Sequence, residues 1–437
     1  MMSQLTRPSN TDPNEIEKLK FLAPEEVREI ADRFGTPVFV YDERTLEDNA
    51  KYMLGLPNAF GLTVRYSIKA NPNRAILRLI DRMGLHFDAS SEWEARRALA
   101  AGVQPSKILI TAQEAGEGVI ELIEQGVHFD AGSLEQLSFY GERFRGAEVS
   151  VRLNPGYGSG LVNRLTSGGP DSSFGIWHQQ AGQIKELIDQ YELKLVRLHI
   201  HIGSSHDAEV LMRSVRTILG LSKLFGGVPI IDLGGGYKVH ALNSDPFYDH
   251  HEMAGLVADD LKAHAAETGT EMRLEVEPGT FMMANAGSIV TKVIDKMTTG
   301  AEGRTFLKLN AGLTEIIRPS YYGAVHPLVS VPAEGPMRSE VDAVCVAGHC
   351  CIAGDVLTPR PADVEHLAPM RLARTSIGDY LVVERGGGYC ASMALKNFNS
   401  YPESAEVLRR KDGSFDLIRE RQSLEQVTQN ERMPADL

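Results

Sequence analysis

The stretch Val64–Ala89, VRYSIKANPNRAILRLIDRMGLHFDA, decides the fold. It opens on a short run rich in β-branched and aromatic residues, Val64 to Ala70, and continues into Arg74 to Met83, where apolar residues recur at helical spacing. It ends on a second short apolar run, Leu85 to Ala89. Strand, helix and strand in that order imply a right-handed parallel crossover, because a twisted strand feeding a helix packs back onto its sheet only that way. Working outward, the same unit recurs. Further strand candidates are Lys107 to Thr111, Val127 to Ala131, Val149 to Leu153, Leu195 to Ile202, Val228 to Leu233 and Met272 to Val276. Amphipathic segments such as Glu92 to Ala101, Gly116 to Glu124 and Leu211 to Phe225 lie between them. Eight strands alternating with helices predict an α/β protein built on a closed (β/α)8 TIM barrel, with an open doubly wound sheet as the rival arrangement.

Beyond about residue 285 helical periodicity fades, and short β-rich runs appear at Ile289 to Val293, Thr305 to Lys308, Val341 to Ala347 and Tyr380 to Val383, punctuated by Gly and Pro. This predicts a C-terminal all-β domain. Pro37 to Tyr41 reads as a strand ahead of the barrel that can pair with this domain instead. The expected division is 1–44 as an N-terminal segment contributing to the β domain, 45–284 as the barrel and 285–437 as the C-terminal β domain.

Composition narrows the function classes. Hydrophobic residues at 43% and charged residues at 24% exclude a disordered or fibrous chain. The formal charge of −13, with no concentrated basic run, argues against nucleic acid or an anionic membrane as partner. No run of about 18 apolar residues occurs, and the polar opening residues lack the apolar core of a signal peptide, so a cytoplasmic protein is expected. Cys345, Cys350, Cys351 and Cys390 show no zinc spacing, so no metal is expected and the cysteines read as free thiols.

In a (β/α)8 barrel the loops after the strands surround one shared mouth, so reactive groups belong at strand C-terminal ends. The first strand ends in Ser67-Ile68-Lys69-Ala70-Asn71, the second in Asp88-Ala89-Ser90, the fourth in Asp130-Ala131-Gly132-Ser133 and the fifth in Arg152-Leu153-Asn154. The sixth ends in His199-Ile200-His201-Ile202-Gly203-Ser204, the seventh in Gly234-Gly235-Gly236 and the eighth in Glu277-Pro278-Gly279-Thr280. Lys69 reads as an ammonium embedded in an apolar strand, where an unpaired charge is costly. A lysine desolvated in this way has a lowered pKa and can form a Schiff base with an aldehyde. The triple glycine alone could be a tight turn, but after the seventh strand barrels often bind phosphate through backbone N–H groups. Glu277 could cap a loop, yet a carboxylate at the end of a buried strand calls for a cation, and a protonated pyridine is one. Lysine, glycine loop and carboxylate together describe a pyridoxal 5'-phosphate site.

The segments YSIKANPN around Lys69, HIHIGS ending at Ser204, DLGGGY around Gly234 to Gly236, EPG at Glu277 to Gly279 and GGGYCASM around Tyr389 resemble those of the fold-type III pyridoxal-phosphate-dependent decarboxylases. Within that family the likeness is to diaminopimelate decarboxylases, with ornithine and arginine decarboxylases as cousins, and it runs from about Gly35 to Pro402. The resemblance implies an alanine racemase-like barrel with a C-terminal β domain, and α-decarboxylation of a small-molecule amino acid. It makes Lys69 the cofactor lysine, His201 the ring stacked on the cofactor, and Ser204 with Gly234, Gly235 and Gly236 the phosphate cradle. Glu277 becomes the partner of the pyridine nitrogen, Tyr389 a phosphate contact, and Asp88 a further cofactor contact.

The resemblance also implies a homodimer with active sites shared across the interface. The family's Cys-Glu-Ser-x-Asp segment appears as Cys351-Ile352-Ala353-Gly354-Asp355. By analogy Cys351 supplies the proton that replaces carbon dioxide, while Ile352 stands where a glutamate helps read a distal ammonium, and Asp355 remains near the substrate. The family's Glu-Pro-Gly-Arg has become Glu277-Pro278-Gly279-Thr280. Arg318 and Tyr322 match an Arg-Pro-x-x-Tyr pattern whose arginine grips a distal carboxylate. The segment Thr166 to Ile176 resembles the family's loop over the active site. The expected substrate therefore bears a distal carboxylate. Diaminopimelate itself, an amino acid of a siderophore or antibiotic pathway, an amino-acid racemase activity and a non-catalytic homologue stand as the alternatives. A racemase-type Ala-Tyr-Gly-His segment after the lysine is missing.

Overall fold

The computed structural model describes residues 6–7, 15–160, 162–203, 208–245 and 247–437. The chain forms two compact units, one built mainly on Glu47–Val239 and Pro246–Met282, the other on Met283–Leu437 together with Ser9–Leu46.

The first unit is a barrel. Its strands are β1 (Leu62–Ser67), β2 (His86–Ala89), β3 (Ile108–Ile110), β4 (His128–Ala131), β5 (Glu148–Asn154), β6 (Lys194–Ile200), β7 (Ile230–Asp232) and β8 (Arg273–Val276). Each pairs in parallel with the next. Pairing of Val276 on β8 with Val64 on β1 closes the ring, which rules out the open sheet. A two-residue strand, Ile176–Trp177, adds to the end of β5.

Helices begin at once after several strands because the sequence places caps there. Asn73 accepts from the Ala75 N–H at the start of Arg74–Arg82, Ser91 from the Glu94 N–H before Glu92–Ala100, and Ser133 from the Gln136 N–H before Leu134–Arg143. Ser133, counted above among the polar groups of the mouth, is thus a helix cap. The amphipathic segment beginning near Leu211 is a helix over Ala208–Ser222 that tightens into a 3-10 turn at Lys223–Phe225.

One expectation needs correction. Lys69 is not embedded in a strand: β1 stops at Ser67, Ile68–Ala70 forms one 3-10 turn, and the Lys69 side chain is 44% exposed. The turn swings the lysine out of the apolar ladder, so its placement at the mouth, rather than desolvation, sets its role. The barrel interior differs from the branched apolar filling usual in such barrels. Side chains of alternate strand residues share a face, and here that face carries charge. Glu275 accepts from Arg65 Nε at 2.7 Å, Arg65 Nη2 at 3.2 Å and Arg197 Nε at 2.8 Å, and Arg197 Nη1 donates to Ser150 Oγ at 2.7 Å. Burial raises the Glu275 pKa, but the two guanidinium groups outweigh it and hold the carboxyl at about 2.

The second unit centres on the long strand Gly287–Thr298. It pairs with Val38–Asp42 and with Tyr380–Val383 at its start and with Thr305–Leu309 at its end, all antiparallel. Val38–Asp42 pairs in parallel with Ala405–Arg409, so the N-terminal strand lies inside this sheet. Its core gathers Val27, Ile30, Val38, Val40, Val290 and Val407. Among the described residues no helix is long and apolar enough to cross a membrane.

Candidate active site

At the mouth of the barrel, Lys69 Nζ lies 3.7 Å from Asp88 Oδ2 at the end of β2. Asp88 is buried, and its Oδ1 has no hydrogen-bond partner among the described residues. His201, just beyond β6, accepts at Nδ1 from the Gly235 N–H at 3.2 Å, which leaves its proton on Nε2 and fixes the ring. The Gly234 N–H donates to Asp232 Oδ1 at 2.9 Å, and the Glu277 N–H donates to Gly234 O at 2.8 Å. Two of the three glycine amides are therefore committed within the protein. The Gly236 N–H has no partner among the described residues. The glycines are required sterically: a Cβ on Gly234, where φ is +66°, would sit 2.7 Å from His201 Nδ1, and one on Gly235 would sit 2.7 Å from Glu277 O. Ser204 lies outside the described residues.

Glu277 closes the site from β8. Its Oε2 is 3.6 Å from His199 Nε2, and its Oε1 is buried with no hydrogen-bond partner among the described residues. Burial first, then Asp232 and Asp88, push its carboxyl well above the usual range. His199, 1% exposed, is bound through Nδ1 to Asp130 Oδ2 at 2.7 Å. Burial opposes its charged form, but Glu277, Asp232 and Asp130 together raise it to about 9, so it is a cation at neutral pH. Arg152 is buried on β5, its guanidinium 4.8 Å from the Phe174 ring.

Sequence reasoning assigns no role to His199, Asp130, Asp232 and Arg152. Their signal is polar and charged residues at alternate positions of buried strands: Arg197 and His199, Glu275 and Glu277, Ser150 and Arg152. His199, Asp232 and Glu277 hold ligand atoms within 4.8 Å of one another, a metal-like spacing.

One orphaned atom tests the cofactor. Glu277 Oε1 is buried without a donor among the described residues, and the protonated ring nitrogen of pyridoxal 5'-phosphate supplies one, while Lys69 at the mouth offers an amine for its aldehyde, so the residues fit the group.

The remaining predicted residues belong to the second unit. Arg318 and Tyr322 lie on the short helix Arg318–Tyr322, both half-buried, and the Arg318 guanidinium is 5.8 Å from the Tyr389 ring centroid. Tyr389 takes a left-handed backbone with φ +57°. Cys351 is exposed and Ile352 is 51% exposed. Asp355 departs from the substrate role expected of it: it is 4% exposed, and its carboxylate accepts from the Leu313 N–H at 3.0 Å and the Cys350 N–H at 2.8 Å. One oxygen braces its own turn and the other the Leu313 backbone, so the carboxylate faces inward.

A barrel mouth with one lysine and an acid-rich floor matched to a pyridinium defines a pyridoxal-phosphate-binding barrel. Residues 48–284 match the model of the pyridoxal-dependent decarboxylase family's pyridoxal binding domain. Diaminopimelate decarboxylase from Streptomyces coelicolor is 34% identical, covering 92% of this chain and 90% of that protein. The Escherichia coli diaminopimelate decarboxylase is 32% identical over 93% of this chain and 96% of its own. A crystal structure of diaminopimelate decarboxylase superimposes with a TM-score of 0.86 at 31% identity, covering 93% of this chain and 96% of the other. The chain belongs to the pyridoxal-dependent decarboxylase family and is a pyridoxal 5'-phosphate-dependent amino-acid carboxy-lyase similar to diaminopimelate decarboxylase.

Proposed function

We propose that the protein removes the α-carboxyl group of an amino acid bearing a second carboxylate at its distal end, as a cytoplasmic homodimer whose active sites are completed across the subunit interface. Arg318 carries the substrate reading. Arg318 is half-buried, its guanidinium lies 5.8 Å from the Tyr389 ring centroid, and among the described residues it is in no ion pair with a carboxylate. A ligand carboxylate can neutralise it through two parallel hydrogen bonds. Ile352 offers no charge to a distal ammonium, and Asp355 is buried on the Leu313 and Cys350 amides.

Bound at the barrel mouth, pyridoxal 5'-phosphate supplies an aldehyde for the substrate amine and an electron sink for the pair left when carbon dioxide departs. Lys69 presents its amine to that aldehyde, with Asp88 Oδ2 beside it to receive charge. Glu277 Oε1 would accept from the ring nitrogen and keep it protonated, with His199 Nε2 3.6 Å from Oε2. His201, its ring fixed by the Gly235 amide, covers the cofactor face. Gly236, with Ser204, Gly234, Gly235 and Tyr389, would hold the phosphate. Cys351 delivers a proton to the substrate carbon, and Tyr322 lines the pocket beside Arg318. The domain division follows the same lines, with 45–284 binding the cofactor and 285–437, joined by 1–44, forming the β domain.

The curated relatives favour meso-diaminopimelate as a second reading. The two readings separate in kcat/KM for meso-diaminopimelate against an analogue that keeps the distal carboxylate and lacks the distal amine. Leaving a distal ammonium unpaired costs about 1–3 kcal/mol, so the analogue is preferred in wild type and Ile352→Glu shifts the preference toward diaminopimelate. A wild type that prefers diaminopimelate, with no gain in Ile352→Glu, refutes the distal-carboxylate reading.

A further inference from the structure

The exposed Cys351 sits in a turn whose consecutive amides are each held. The Cys350 N–H donates to Asp355 Oδ2 at 2.8 Å, the Cys351 N–H to Asn399 Oδ1 at 2.9 Å and the Ile352 N–H to Cys350 O at 2.7 Å. His349, at the head of the turn, bonds Thr314 Oγ1 at 2.6 Å and stacks on Tyr401 with ring centroids 3.8 Å apart and planes at 11°. The backbone is thus clamped while the thiol stays accessible. Its neighbour Cys350 is buried, and burial with Asp355 alongside pushes that thiol up to about 12, so it is inert beside it.

Asn399 reaches Cys351 from an unusual loop. Asn397, Asn399 and Ser400 have φ of 58°, 53° and 61°, the left-handed region that side chains disfavour and that Asn tolerates better than most. Such backbone persists only where its surroundings hold it, and it clusters at functional sites. The Asn397 amide does the holding, donating to Tyr401 O at 3.0 Å and Gln422 Oε1 at 2.6 Å. A relaxed turn would satisfy the same backbone more cheaply. What the strained one adds is the delivery of one carbonyl oxygen to the Cys351 amide.

We propose that Asn399 is a positioning residue for Cys351: the left-handed loop aims its Oδ1 at the Cys351 amide and so fixes the direction in which the thiol is presented to substrate. The inference rests on the reading of Cys351 as the proton donor and adds to it a residue that touches no substrate.

The variants follow from the backbone. Asn399→Gly relaxes the left-handed strain and deletes the acceptor, whereas Asn399→Asp keeps the acceptor and the tolerance of positive φ. In the holoenzyme, Asn399→Gly keeps Tm at or above wild type and KM near wild type, but lowers kcat by about tenfold to a hundredfold, the scale of a misplaced reacting group. Asn399→Asp restores most of kcat. Alkylation of Cys351 by iodoacetamide, read on its peptide by mass spectrometry, changes by about twofold or more in Asn399→Gly. In a Cys351→Ala background, Asn399→Gly lowers kcat no further. Additive losses in the double variant, or a lowered Tm with unchanged kcat and alkylation in Asn399→Gly, overturn the proposal. A Cys351→Ala variant with wild-type kcat overturns the proton-donor reading instead, and the alkylation rate alone then decides whether Asn399 positions the thiol.

Discussion

His199 provides the most direct test of the acid-rich floor of the barrel. Its imidazole is held between Asp130 Oδ2 at 2.7 Å and Glu277 Oε2 at 3.6 Å and is 1% exposed, so solvent screens little of the interaction. The folded protein raises its pKa from 6.5 to about 9, a preference for the charged form worth about 3 kcal/mol. A group whose pKa is raised on folding stabilises the native state fully below its unfolded value and loses that contribution as pH rises through the folded value. The window is therefore pH 6.5 to about 9. Urea unfolding of the cofactor-free protein across that window should show wild type losing about 3 kcal/mol more than His199→Gln, which keeps a donor for Asp130 but carries no charge. The two proteins should converge above the window. Parallel pH profiles for the two would refute the reading of His199 as a cation held by its acidic neighbours.

Other outcomes follow from the same geometry. Glu275→Gln removes the shared anion between Arg65 and Arg197 and leaves two buried guanidinium groups facing each other. It should cost about 3–5 kcal/mol and lower Tm by about 10 °C, and a change under about 2 °C in scanning fluorimetry would mean that both arginines find other partners. Borohydride reduction of the holoenzyme should fix the cofactor to the peptide containing Lys69, and label recovered on any other lysine would overturn that assignment. Mixing Lys69→Ala with Cys351→Ala subunits should restore up to about a quarter of wild-type activity, since random pairing makes half of the dimers mixed, each with one intact site. No recovery after demonstrated subunit exchange would count against a shared site.

Some of this was written locally in the chain, and some arises only from assembly. The eight strand-and-helix units were legible because each carries its own period and caps, as in Val64–Ala89 with Asn73 before the helix. Lys69, Glu277 and the glycine loop stood out because few other combinations of residues at strand ends suit one cofactor. Closure of the barrel was not local: it depends on Val276 meeting Val64, more than two hundred positions apart. The end of β1 at Ser67, and with it the exposure of Lys69, was equally invisible, since an apolar run does not show where pairing stops. The charges of the barrel floor were present as single letters in separate strands. Only the folded ring brings His199, Asp130, Asp232 and Glu277 together, and electrostatic energy depends on those distances rather than on residue type. The same holds for Asp355, which a motif places near substrate but whose burial turns it toward the Leu313 and Cys350 amides. Sequence by itself determined the units, their order and the cofactor chemistry. Tertiary structure alone decided which charges face one another, because side chains from strands and loops far apart in the chain meet only after the barrel and the sheet have closed.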